Sequence, residues 1–345
     1  MKNMKTVWLL VAILLAYNFS ACKKKDKTPP PPVKTEYVSG QMMHGSGELA
    51  ASLWINGTQQ YLTNGTYESS ANSVLKHNND IYVAGYERNT VSPSDPTELN
   101  KMAVYWKNGT MTQLTNGSTN AEANSIAVSG NDVYVAGTEY NSTTLRQNAR
   151  LWKNGMEVTL TNGANWSFAN DVALKGNDIY VVGQETISGT PTALIWKNGV
   201  RSALPFTGTS SNAHRILLDG NDVYVIGARS EGGITQACYW KNGAFNPVNF
   251  IVGGSSYYAT HGLVKNGVLH LVGFGFEGTV AKPVYWHNGI AQKLAETSGV
   301  AYSIADINNV LTVAGRLGEY PAKWENGVNT FTGTTQGAFY KIRYE

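Results

Sequence analysis

The chain has 345 residues with 27 Lys and Arg against 24 Asp and Glu. Its formal charge of +3 is concentrated at the N-terminal end: without Lys2 and Lys5 it is +1, and without the five lysines, Asp26 and Glu36 of residues 23–36 the remainder is near −2. A body of that charge is not a nucleic-acid binder, and with Cys238 the single cysteine beyond Cys22, no internal disulfide can hold it together.

In chain order, Lys2 and Lys5 precede an apolar run from Val7 to Tyr17 that ends at the small residues Ser20 and Ala21. The run is shorter than the roughly 20 residues a bilayer-spanning helix needs, so residues 1–21 are expected to be a cleaved export signal. Phe19-Ser20-Ala21-Cys22 resembles the lipobox of bacterial lipoproteins, with Phe19 where that pattern carries Leu. The resemblance implies a lipid on Cys22 and a membrane as its partner. Lys23 directly after the cysteine implies, by the same resemblance, the outer membrane, with the facing side left open. Residues 22–35, rich in lysine and ending in Pro29 to Pro32, cannot bury apolar surface and are expected to be an extended tether.

From residue 36 onward one theme recurs: Trp54-Ile-Asn-Gly57, Trp106-Lys-Asn-Gly109, Trp152-Lys-Asn-Gly155, Trp196-Lys-Asn-Gly199, Trp240-Lys-Asn-Gly243, Trp286-His-Asn-Gly289 and Trp324-Glu-Asn-Gly327. The tryptophans are separated by 52, 46, 44, 44, 46 and 38 residues, which is the spacing of four-stranded propeller blades. Asn-Gly between apolar stretches predicts a type I′ hairpin. A second hairpin in each unit ends in strands such as Val133-Tyr-Val-Ala-Gly137, and nothing in the mature chain reads as helix. One such strand stands alone at Tyr37-Val-Ser-Gly40, and an unpaired inner strand stands at Ala338-Phe-Tyr-Lys-Ile342. The two orphans complete one blade, so residues 36–345 are expected to form a closed, all-β, seven-bladed β-propeller whose first blade takes one strand from the C-terminus. Cys238 falls where other copies carry Val104, Leu194 and Val284, which predicts a buried apolar residue.

The unit resembles the bacterial extracellular repeats called HAF repeats, and its Asn-Asp-Val-Tyr-Val-Ala portion is similar to NHL-type propeller blades. The resemblance covers nearly all of residues 37–345 and implies blade geometry and an extracellular setting. It implies no activity.

Positions that differ among the copies are where a site can lie. Loops before the inner strands carry Tyr67, Trp166, Phe168, Tyr257 and Tyr258, and Glu87, Glu139 and Glu185 occupy equivalent places in three copies, with Arg229 in the fourth. Aromatics beside carboxylates and amides suit sugar recognition; ordinary loop packing gives the same pattern. At the start of the inner strand stand Asn72, Asn124, Asn170, His214, Thr260, Tyr302 and Phe339, expected at the channel mouth. His214, Arg215 and His261 are the titratable groups there, read either as polar lining or as proton-transfer or metal groups. Asp80, Asp132, Asp178 and Asp222 fall in hairpin turns, where Asp supports the backbone locally. No nucleophile elbow, zinc-protease or phosphate-loop motif is present. The expectation is therefore a monomeric, non-catalytic binding or scaffold propeller without metal or cofactor, whose partner is a glycan or an envelope protein. The alternatives are an enzyme acting on extracellular polysaccharide and a structural subunit of an envelope complex.

Overall fold

The structure is a computed structural model that describes residues 34–91, 99–249 and 255–345. The signal, lipobox and most of the tether lie outside the described residues. The described residues form seven four-stranded antiparallel sheets and no helix.

Glu36–Met43, Leu49–Ile55 and Thr58–Tyr61 make three strands of the first blade, and the C-terminal strand Gly337–Tyr344 pairs with Glu36–Met43 as its innermost strand. The inner strands of the following blades are Ser69–His77, Ala121–Ser129, Ser167–Lys175, Ser210–Asp219, Tyr257–Lys265 and Gly299–Ile307. Each touches the next, and Gly337–Tyr344 touches both Gly299–Ile307 and Ser69–His77, so the ring is closed as the orphan strands required.

The turns carry the backbone that Asn-Gly selects. In all seven, Asn has φ between 48° and 53° and Gly between 72° and 85°, the left-handed pair of a type I′ turn. The asparagine does more than tolerate positive φ, because its Oδ1 accepts from the backbone N–H of Glu36, Ile81, Val133, Ile179, Val223 or Leu311 on the adjoining strand in six of the copies. In four blades the same side chain also donates through Nδ2 to Asp80, Asp132, Asp178 or Asp222. The other oxygen of each aspartate takes the lysine of the Trp-Lys-Asn-Gly unit, at 2.7 to 2.8 Å. The aspartates therefore tie two hairpins together instead of supporting only their own turn. Lys and Asn hold these carboxyls below the usual carboxylate range.

The core lies between blades. Trp196 packs with Leu194 and Val181 against Tyr134, Ala149 and Leu151 of the preceding blade, and equivalent clusters repeat around the ring. The cluster that closes the ring joins Ala314 to Val38, Trp54, Phe339 and Ile342. Five of the repeat tryptophans are among the largest fully buried side chains, and truncating one such residue to Ala costs about 3–5 kcal/mol. Cys238 is fully buried in one of these clusters, and burial pushes its thiol up to about 12, as expected for a packed residue.

Candidate functional site

Every inner strand carries a bulge at the same place. One extra residue stands between Ala71 and Ser73, Ala123 and Ser125, Ala169 and Asp171, Ala213 and Arg215, Ala259 and His261, Ala301 and Ser303, and Phe339 and Lys341. A bulge re-aims the side chain it frees. Here the freed residues are Asn72, Asn124, Asn170, His214, Thr260, Tyr302 and Tyr340, and all seven line one cavity of about 440 Å³ at the centre of the ring.

The repeat glycine makes the bulge possible. A Cβ added at Gly183 would lie 1.8 Å from the carbonyl oxygen of Phe168, and at the six equivalent glycines the gap is 1.8 to 2.1 Å. None of these glycines has positive φ; what requires them is the close approach of the partner backbone.

Five of the freed side chains also bond the ring together. Asn72, Asn124 and Asn170 donate through Nδ2 to the carbonyls of Ala123, Ala169 and Ala213 in the next blade, at 2.8 to 3.0 Å. His214 Nδ1 donates to Ala259 O at 2.8 Å, and Thr260 Oγ1 donates to Ala301 O at 2.6 Å. Each such bond contributes on the order of 1 kcal/mol. Tyr302 and Tyr340 break the series, their rings meeting edge to face at 5.1 Å. The donation from Nδ1 leaves the His214 Nε2 lone pair available, and burial together with Arg215 lowers the imidazole's pKa, so it is the neutral form that lines the cavity.

The remaining lining is Glu122, Phe168, Gln184, Asn212 and Arg215. Glu122 is held by Asn72 Nδ2 at 2.9 Å and Lys101 Nζ at 3.0 Å. The site thus offers amides, three aromatic rings, one paired carboxylate and one guanidinium.

Of the residues singled out from sequence, the structure brings His214 and Arg215 to this mouth together with Phe168. Phe339 is not there. It stands at the recurring alanine's place, buried against Trp54 with ring centroids 4.8 Å apart, and Tyr340 is the freed residue. His261 lies one residue beyond its blade's bulge and lines a second cavity of about 540 Å³ on the other side of the channel waist, with Lys341 and Arg343. His214 and His261 therefore open into different cavities, and among the described residues no group of three or more His, Cys, Asp or Glu could hold a metal ion.

The three glutamates occupy equivalent strand positions, opposite Ser69, Ala121 and Ser167, but none lines the central cavity. Glu139 pairs with Arg150 at 2.9 Å, and Glu185, almost fully buried, pairs with Arg201. Glu87 is half-buried, and desolvation raises its pKa. Arg229 is engaged by Thr207, Glu231 and Gln236 and lies over the Phe245 ring. Tyr257 is core, edge-on to Trp286, while Tyr258 stacks on Phe274 at 4.9 Å. Tyr67 and Trp166 are exposed on the loops.

Glu122, Gln184, Asn212 and Tyr340 escaped the sequence reading. The signal that could have found Glu122 and Asn212 is positional: with Phe168 they occupy the place just before the recurring alanine.

No family model matches the chain, and no curated protein matches it. Among solved structures, TolB from Acinetobacter baumannii aligns over 89% of this chain and 82% of its own, at 16% identity and a TM-score of 0.47. Kuenenia stuttgartiensis hydrazine synthase aligns over 91% of this chain and 46% of its own, at 9% identity and a TM-score of 0.47. A prolyl endopeptidase aligns over 85% of this chain, at 8% identity and a TM-score of 0.50, and the chain spans 46% of that protein's length. At such identities what is shared is the fold alone, and the chain is a seven-bladed β-propeller.

Proposed function

We propose that this protein is a non-catalytic binding propeller of the bacterial cell envelope, lipid-anchored through Cys22, that takes a glycan in the mouth of its central channel. The observation that carries the reading is the convergence of seven bulge side chains with Phe168 on one cavity of about 440 Å³. Sugar rings stack on aromatic faces and exchange hydrogen bonds with amides. Phe168, Tyr302 and Tyr340 supply the faces, and Asn124, Asn170, Asn212 and Gln184 the amides. The location rests on the sequence from Lys2 to Cys22 and on the unit's likeness to HAF and NHL-type repeats.

The catalytic alternative finds less support. Glycoside hydrolysis through two carboxylates needs a pair about 5–10 Å apart, and Glu122 is the one carboxylate lining the mouth among the described residues. The structural-subunit alternative needs a contiguous apolar patch. The exposed apolar residues of the outer strands, Met111, Met156 with Val158, Val200, Ile290, and Val328 with Phe331, are instead divided among five blades, spread round the circumference.

Affinity electrophoresis of residues 34–345 through gels containing soluble polysaccharides tests the reading. At least one polysaccharide is expected to retard the protein, and Phe168→Ala to abolish the retardation while Trp166→Ala retains it. Migration unaffected by every polysaccharide would contradict it.

A further inference from the structure

The mouth holds one cation, and its charge is not matched. Arg215 Nη1 donates to the carbonyl of Asn170 at 3.0 Å, its Nε is buried without an acceptor, and Nη2 makes no hydrogen bond among the described residues. No carboxylate forms an ion pair with Arg215 there. Glu122 is engaged by Asn72 and Lys101, and the carboxylate on the neighbouring inner strand, Asp171, accepts from Ser125 Oγ and from the backbone N–H of Ile216.

The cavity beneath is mixed in charge. Below the waist Lys341 contacts His261 Nε2 and no carboxylate, and Arg343 has only Glu345, at 3.9 Å. Burial, with Arg215 and Arg343 nearby, holds the Lys341 amine well below its ordinary range. Asp171, Asp306 and Glu345 line that cavity with Lys341 and Arg343, so carboxylates there match the cations, and the cation left without an ion pair at the mouth is Arg215. Nη2, which has no acceptor, offers a carboxylate a charge-assisted hydrogen bond, while the buried Nε is out of a ligand's reach.

We infer that the mouth takes an acidic sugar, seated with its ring against Phe168 and Tyr340 and its carboxylate on Nη2 of Arg215. The inference rests on the reading of the mouth as a glycan site and adds the charge of its ligand. The neutral His214, beside Arg215, accepts a sugar hydroxyl at Nε2. Lys341 lies in the second cavity and does not touch the ligand.

Isothermal titration of residues 34–345 with glucuronic and galacturonic acid oligomers, and with neutral glucose and galactose oligomers of equal length, tests this. An acidic oligomer is expected to bind wild-type protein more tightly than its neutral counterpart. Arg215→Gln is expected to weaken the acidic oligomer by about 10-fold or more, the loss typical of a charge-assisted pair, and to weaken neutral oligomers by a smaller factor, so that the acidic preference narrows. Lys341→Gln, a change to a channel residue outside the mouth lining, is expected to leave acidic binding unchanged, so that a loss confined to Arg215→Gln is not a general effect of altering the channel. Neutral oligomers binding as tightly as acidic ones, or acidic binding untouched by Arg215→Gln, would overturn the inference and spare the glycan reading. Binding by neither set would overturn both.

Discussion

Removing the C-terminal strand is expected to abolish cooperative folding. A chain of residues 34–336 loses Phe339 and Ile342, both buried in the cluster that closes the ring, and leaves the whole edge of Glu36–Met43 unpaired. Deleting a buried Phe costs about 3–5 kcal/mol and a buried Ile about 2–5. Together they approach the 5–15 kcal/mol by which a domain is typically stable, before the strand ladder is counted. The expected result is loss of the near-ultraviolet circular dichroism signal and of a calorimetric transition. A permutant separates closure from mere shortening. The backbones of Thr35 and Glu345 exchange hydrogen bonds at 2.7 and 3.1 Å, so residues 334–345 joined through Asn-Gly to Lys34, with the chain ending at Gly333, should restore both signals. Failure of the permutant to fold, or cooperative folding of the truncated chain, would count against closure as the source of stability.

The second large effect is expected at the repeat glycine. In Gly183→Ala the new methyl would stand 1.8 Å from Phe168 O and 2.9 Å from its carbonyl carbon, both backbone atoms that cannot swing away. Overpacking typically costs 1–3 kcal/mol, and with backbone on the opposing side a loss of about 3 kcal/mol or more is expected in urea unfolding. Gly45→Ala, where nothing lies within 4 Å of the added Cβ and φ is not in the left-handed region, is the matched control and should be near neutral. Because the contact lies at the bulge that frees Asn170, Gly183→Ala should also impair the mouth. Equal stability of the two variants would mean that the bulge yields easily and does not fix the lining.

The fold was legible because its determinants are local and repeated. Asn-Gly imposes a turn wherever it falls, the tryptophan spacing sets the blade, and the two incomplete units at the ends could only complete each other. The lining was harder to read. The bulge adds a residue to one strand without any signature of its own, so in six copies the residue after the alanine was found, while in the last, with Phe339 at the alanine's place, the reading slipped by one and missed Tyr340. Glu87, Glu139 and Glu185 misled for a related reason. Equivalent places in the repeat are equivalent places on seven different blades, where each side chain meets its own neighbours: Arg150 for Glu139, Arg201 and Asn165 for Glu185. Repetition brings residues together only on the channel axis, where the inner strands meet. The aspartates were misread because their partners, the Lys and Asn of the neighbouring hairpin, lie some 20 residues or more away in sequence.

Entry of a ligand into the mouth formed by the bulge residues is open to direct measurement. A glycan array probed with residues 34–345 and with two paired variants tests it most directly. One variant alters the mouth, Phe168→Ala with Asn170→Ala, and the other alters the exposed loops, Tyr67→Ala with Trp166→Ala. A defined set of bound glycans is expected, one that vanishes with the mouth variant and persists with the loop variant. An array left blank by the wild-type protein, or binding lost only with the loop variant, would contradict it.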